Sequence, residues 1–279
     1  DCTLDWAEVF GYLGFYRTAG LAYYVLQKCM PMERNINGDF LLALYMNFEI
    51  QKLRTLASRK YIVEVSNAFD IKGIRYAFLK GSILAISTYP LGCRASNDID
   101  LLVNSSDLTA CSEALQELGL VQGFYSIDKN KIVPATRREI INHRINYGEI
   151  VPFLKQINDP GLNLVTIDVN FSLNEVALQT KDAVAAFLQE EQYYVIEGGH
   201  KVRTMSLEHF LAHLCVHLFK EASVLEWVRG QRDLSLYKYV DVFAFVTDPN
   251  YSVNWDRFVQ IVKENNITRE CFYALYYTS

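Results

Sequence analysis

The sequence predicts an α+β fold in which a small mixed sheet is flanked on both sides by helical regions. Short apolar runs around 75–79, 98–103 and 162–171 have strand character, while the stretches before residue 70 and after residue 173 repeat apolar residues at helical spacing. With 51% hydrophobic and 21% charged residues over 279 positions, the chain can bury a sizeable core.

In the N-terminal helical region, 1–70, two helices are expected over 4–30 and 40–69, separated by Pro31 and the Asn35-Ile36-Asn37-Gly38 turn. Region 71–172 holds the mixed core. Its three strands alternate with helices near 82–89 and 106–119, and 121–158 adds antiparallel strands, with 140–147 carrying a mixed strand pattern. The C-terminal region, 173–279, reads as helices over 175–189, 207–220, 234–247, 255–265 and 269–277. No internal repeat or low-complexity linker is visible.

The chemistry concentrates between Lys80 and Val103. The apolar run Tyr76-Ala77-Phe78-Leu79 meets Gly81-Ser82 and then the helix-like Ile83-Leu84-Ala85-Ile86. In such a strand, turn and helix, Gly81 lets the backbone approach a ligand closely. Ser82 offers a hydroxyl or a cap, and the helix start presents unpaired N–H groups to an anion. In Asp98-Ile99-Asp100-Leu101-Leu102-Val103 the alternation places both carboxylates on one face of a strand and Ile99 and Leu101 on the other. Hard oxygen ligands of this kind suit Mg²⁺, which binds through one or two carboxylates plus substrate phosphates, and two such ions could clamp attacking and leaving oxygens. Either feature alone is common; their order and spacing together point to metal-dependent phosphoryl chemistry.

These residues resemble the nucleotidyltransferase superfamily with the DNA polymerase β-like fold, whose pattern is an apolar residue, Gly, Gly or Ser, then a carboxylate pair on the next strand. The likeness is closer to a bacterial branch of uncharacterised nucleotidyltransferases. It runs from Leu79-Lys80-Gly81-Ser82 through Tyr89-Pro90 and Arg94 to Asn97-Asp98-Ile99-Asp100-Leu101-Leu102-Val103. The resemblance implies a nucleotidyltransferase sheet core and a third carboxylate on a later strand. Leu164-Val165-Thr166-Ile167-Asp168-Val169-Asn170-Phe171 supplies one: Asp168 shares its face with Thr166 and Asn170, opposite Val165, Ile167, Val169 and Phe171. Where the branch carries His-Trp just after this Asp, this chain has Asn170-Phe171, so no acceptor specificity carries over.

What the resemblance implies is transfer of an NMP group from an NTP to a hydroxyl or amine, with release of pyrophosphate. Asp98, Asp100 and Asp168 would hold Mg²⁺ or Mn²⁺, and Asp168 would also accept the proton of the incoming nucleophile. Gly81 and Ser82 would cradle the phosphates and Arg94 would neutralise their charge. Lys80 has two readings, a phosphate contact or a side chain that snorkels to solvent. A small-molecule or peptide/protein acceptor is expected. The alternative is a non-catalytic NTP-binding regulator or toxin–antitoxin-like component, against which three intact carboxylates speak; an aromatic-rich interaction protein would bind no nucleotide.

Two further clusters carry weaker signals. Lys129, Lys131, Arg137, Arg138, His143 and Arg144 form a basic stretch, read as a solvated hairpin surface that could also bind an anionic acceptor. His209, His213 and His217 share one face of a helix, but no Glu occupies the metalloprotease position between them and no Cys-x-x-Cys exists. Structural histidines are the default, with His217 and Lys220 as binding candidates should that helix cover the cleft. Ser87 and Thr88 read as ordinary helix-end residues.

The net charge of −5 speaks against a protein that tracks long nucleic acid. No apolar segment reaches membrane-spanning length, and the first residues lack a basic, apolar signal peptide. Cys2, Cys29, Cys93, Cys111, Cys215 and Cys271 have no metal spacing and read as reduced thiols, so a cytoplasmic protein is expected.

Overall fold

A computed structural model describes residues 4–29, 36–173, 183–231 and 235–279. Asp5 starts helix α1 (Trp6–Phe15) by accepting from the backbone N–H groups of Ala7 and Glu8 at 3.0 and 3.1 Å. The expected helix over 4–30 is two helices, because Arg17 adopts a left-handed φ of 56°. The Arg17 N–H then donates to the Gly14 carbonyl and the Thr18 N–H to the Leu13 carbonyl, which closes α1 before α2 (Ala19–Cys29) begins. Pro31 and Asn35 of the expected turn lie outside the described residues. Asn37 caps α3 (Gly38–Ile71), a 34-residue helix whose second half buries Tyr61, Ile62, Val65 and Phe69 against the sheet.

The sheet has six strands in the order β1 (Tyr76–Phe78), β2 (Ile99–Val103), β6 (Leu162–Asn170), β5 (Phe153–Asp159), β3 (Val121–Ser126), β4 (Lys131–Pro134). Among the described residues only the β2–β6 pairing is parallel; the other pairings of this sheet are antiparallel. Helix α4 (Lys80–Ser87) follows β1, and α5 (Leu108–Glu117) follows β2 after a single 3-10 turn. In β6, Val165, Ile167, Val169 and Phe171 just beyond its end are buried, as the alternation predicts.

Two expectations are corrected. Residues 140–147 are not a strand: Arg137–Asn146 is helix α6, fixed by a capping box in which Thr136 and Glu139 bond each other's backbone N–H. The three isoleucines of this segment suggested a strand, but the local cap decides. The region 173–279 is not purely helical either. After the short α7 (Val184–Phe187), strands β7 (Glu191–Val195) and β8 (Lys201–Met205) form an antiparallel hairpin. Its Thr204 hydroxyl donates to the Phe78 carbonyl at 2.8 Å, which ties the hairpin to β1. Residues 175–182 of the expected helix over 175–189 lie outside the described residues, as does Leu234.

The chain then forms α8 (Leu207–Ser223), α9 (Leu225–Arg229), α10 (Leu236–Thr247), α11 (Trp255–Glu264) and α12 (Thr268–Thr278). Buried Phe210, Leu214 and Val216 of α8, Phe245 of α10 and Phe258 of α11 join one core with the sheet. Among the described residues, no helix is long and apolar enough to cross a membrane.

Candidate active site

β1 delivers its chain to a tight turn beside the start of β2. The Leu79 N–H donates to the Asp100 carbonyl at 3.0 Å, and Lys80 adopts a left-handed φ of 45° before α4 turns away. A Cβ on Gly81 would lie 2.6 Å from the Ser96 hydroxyl oxygen, so any larger residue forces Ser96 to move. Ser96 in turn donates to the Asp98 carbonyl at 3.0 Å. The turn and the loop that carries Asp98 are therefore pressed directly together.

The parallel register sets Asp100 of β2 opposite Asp168 of β6, with Asp98 one residue before β2. All three line one cleft of about 430 Å³, together with Lys80, Gly81 and Thr166. Lys80 does not snorkel to solvent: its ammonium meets Asp100 Oδ1 at 2.8 Å. Burial pushes the Asp100 carboxyl up to about 6, Lys80 opposing and Asp98 adding to the rise. Asp168 is driven well above the usual carboxylate range by burial and then by Asp100, Asp98 and Glu149. Burial opposes the charged form of Lys80, but Asp100 outweighs it and the ammonium stays protonated.

Two expected ligand contacts are placed differently. Ser82 is buried, does not line this cleft and has a hydroxyl without a hydrogen-bond partner; it faces a small neighbouring cavity with Thr55 and Arg59. Arg94 does line the cleft, yet its Nε and Nη2 donate to the two carboxylate oxygens of Asp241 at 2.7 Å each, and Nη1 donates to the Ala95 carbonyl. Its guanidinium lies 4.5 Å from the ring centroid of Tyr237.

The histidine helix is α8, and it splits by role. His209 faces Ser206 at 2.8 Å and packs on Phe187, away from the cleft. His213, His217 and Lys220 line the cleft, the two imidazoles nearly parallel with centroids 6.4 Å apart. Burial holds both rings neutral, His213 down to about 3 and His217 well below its usual range, with Lys80 reinforcing the effect. The His213 Nδ1 is buried without a partner. Of the basic stretch, only His143 reaches the cleft; Lys129, Lys131, Arg137, Arg138 and Arg144 lie exposed outside it.

Several cleft residues were not singled out for this role by the sequence. Glu149 stands 3.5 Å from His143 Nε2. Burial would raise its carboxyl, but the His143 bond and the Lys220 and Lys80 ammoniums outweigh it and hold it low. Tyr237, Lys238 and Asp241 come from α10, and Arg17 from the α1–α2 turn. Lys238 pairs with Glu221, and burial followed by Lys80, Arg17 and Arg94 pushes it down to about 7. Nothing local marks these positions, since each owes its place to a chain crossing.

The uncharacterised nucleotidyltransferase family profile matches residues 3–279. The chain belongs to that family. No curated protein sequence matches this nucleotidyltransferase. Among solved structures, an antigenic nucleotidyltransferase-like protein from Paracoccidioides brasiliensis is 12% identical, covers 77% of this chain and 91% of its own, and superposes with a TM-score of 0.40. The antibiotic-resistance factor ANT(2'')-Ia in its solution structure is 13% identical over 79% of this chain and 96% of its own, with a TM-score of 0.38. Its crystal structure with adenylyl-2''-tobramycin gives 14%, 68%, 98% and 0.34 for the same measures.

Proposed function

We propose that the cleft moves an NMP group from an NTP to a hydroxyl or amine of a small-molecule or peptide/protein acceptor and releases pyrophosphate. One observation carries the reading: Asp100 and Asp168 face each other in register beside Asp98, and the Lys80-Gly81 turn closes on the same carboxylates. Among the described residues no group of three His, Cys, Asp or Glu side chains is placed to hold a metal ion by itself. The donor chemistry nonetheless fits Mg²⁺ or Mn²⁺, which needs only one or two carboxylates when phosphates and waters complete the shell. The Lys80 ammonium, 2.8 Å from Asp100, supports the reading of this cluster as one that is neutralised by positive charge. Asp98, Asp100 and Asp168 would hold the ion, which would screen the phosphate charge as the phosphoryl group transfers.

The chain's own groups do the rest. Gly81 brings backbone N–H groups at the start of α4 against the phosphates, and Lys80 supplies a fixed positive charge where negative charge builds. Asp168, made more basic by burial and then by its carboxylate neighbours, accepts the proton from the attacking hydroxyl or amine. The neutral His213, with its buried unpartnered nitrogen, offers a hydrogen bond to a bound molecule without adding charge.

Pyrophosphate release from each NTP with Mg²⁺ or Mn²⁺, in the presence of a metabolite extract, tests the reading. Metal-dependent release that disappears in Asp98→Asn/Asp100→Asn is expected. NTP binding without release in the native protein would favour the regulator instead.

A further inference from the structure

The closing turn of α1 carries a cation into the cleft that the carboxylates do not use. Arg17 lines the same cavity as Asp98, Asp100 and Lys80, and its guanidinium sits 5.3 Å from the Tyr237 ring centroid. Among the described residues, no hydrogen bond or ion pair engages that guanidinium. Arg94, the cation the sequence favours, is different: its fork is closed on Asp241. We propose that Arg17 is the group that grips the β- and γ-phosphates of the bound NTP, an inference that rests on reading the cleft as a nucleotide site.

The backbone supplies an independent argument. The same helix-ending motif, with an N–H reaching back five residues, closes α3, α5 and α11, and the left-handed position there is Gly73, Gly119 and Asn266. Those are the residue types that tolerate the conformation most readily. At the end of α1 the position is Arg17, which carries the steric penalty of a long side chain at φ 56°. Lys80, the other cleft cation with positive φ, holds Asp100 directly. Strained residues of this kind collect where a side chain must be aimed at a ligand.

Placement fits a triphosphate tail. Arg17 and Arg94 both lie against the Tyr237 ring, 5.3 and 4.5 Å from its centroid, so two cations meet at one end of the cleft. The carboxylates take the reacting phosphorus, and the tail then runs toward that cationic end. A planar guanidinium matches two phosphate oxygens at once, which an ammonium cannot.

The test is calorimetric titration of the native protein and of Arg17→Ala, Arg17→Lys and Arg17→Gly with Mg²⁺–tripolyphosphate, the four NTPs and their NMPs, beside thermal melts. Arg17→Ala is expected to weaken tripolyphosphate and NTP binding ~10–100-fold while shifting NMP affinity no more than about twofold. Arg17→Lys should fall between. Arg17→Gly, which relieves the backbone, should lose the same affinity without melting earlier. Unchanged tripolyphosphate affinity in Arg17→Ala, an NMP loss as large as the NTP loss, or earlier melting of all three variants would overturn the assignment and leave the nucleotide reading standing. A native protein that binds neither NTP nor tripolyphosphate would overturn both.

Discussion

Asp100 and Asp168 are held together by strand register at the expense of their own electrostatics. The folded pKa of Asp100 rises to about 6, above the ordinary value of 3.8, and Asp168 rises with it. A raised carboxyl favours the fold while protonated, so this contribution is present below pH ~4 and is lost as pH climbs through ~6. For Asp100 the shift corresponds to about 3 kcal/mol at most. Asp168→Asn removes an ionisable carboxyl from the cluster while keeping its shape, and should abolish transfer yet raise stability. At pH 8 we expect a melting temperature ~2–8 °C above the native protein's, with the gap closing near pH 4. A variant that melts earlier at pH 8 would show that the carboxylates do not repel. The same residues were the most legible part of the sequence, since alternation in 98–103 and 164–171 fixes which side chains share a face regardless of what packs behind them.

At the level of elements, the site depends on the contact between the start of α4 and the loop before β2. Gly81→Ala would drive a methyl group into Ser96 and displace Asp98 through the Ser96–Asp98 bond. A loss of ~10²-fold in turnover with the fold retained is expected, since displacements of about 1 Å carry that penalty. Gly81→Ala/Ser96→Ala should recover part of it by removing the nearest atom. Turnover of Gly81→Ala equal to that of the native protein would sink the claim that the turn positions Asp98.

Elements were less legible where a short local feature outweighs the pattern. The isoleucines of 140–147 suggest a strand, but the Thr136–Glu139 capping box commits α6. The β7–β8 hairpin was missed although Gly198-Gly199, at φ 82° and 77°, marks its turn between two alternating runs. The break at Arg17 had no signal at all, because nothing about arginine announces a left-handed helix end.

On the scale of the molecule, the cleft is assembled from the α1–α2 turn, the strand carboxylates, α8 and α10, segments separated by most of the chain length. The Arg94–Asp241 fork and the Arg17 and Arg94 contacts to Tyr237 bring α10 onto the loop before β2. This convergence was invisible in the sequence, where Arg94 has no sign of its partner 147 residues away. The helical regions thus wall the sheet site, and under the proposed function acceptor choice would reside in them and not in the nucleotide motif.

The assembled cleft is proposed to transfer the NMP group of an NTP to an acceptor. The most direct test is label transfer from α-³²P NTPs into an acceptor fraction with Mg²⁺, comparing the native protein with Asp100→Asn. Label is expected in an acid-stable product that the native protein forms and the variant does not. Nucleotide bound by both proteins, with no labelled product from either, would contradict it.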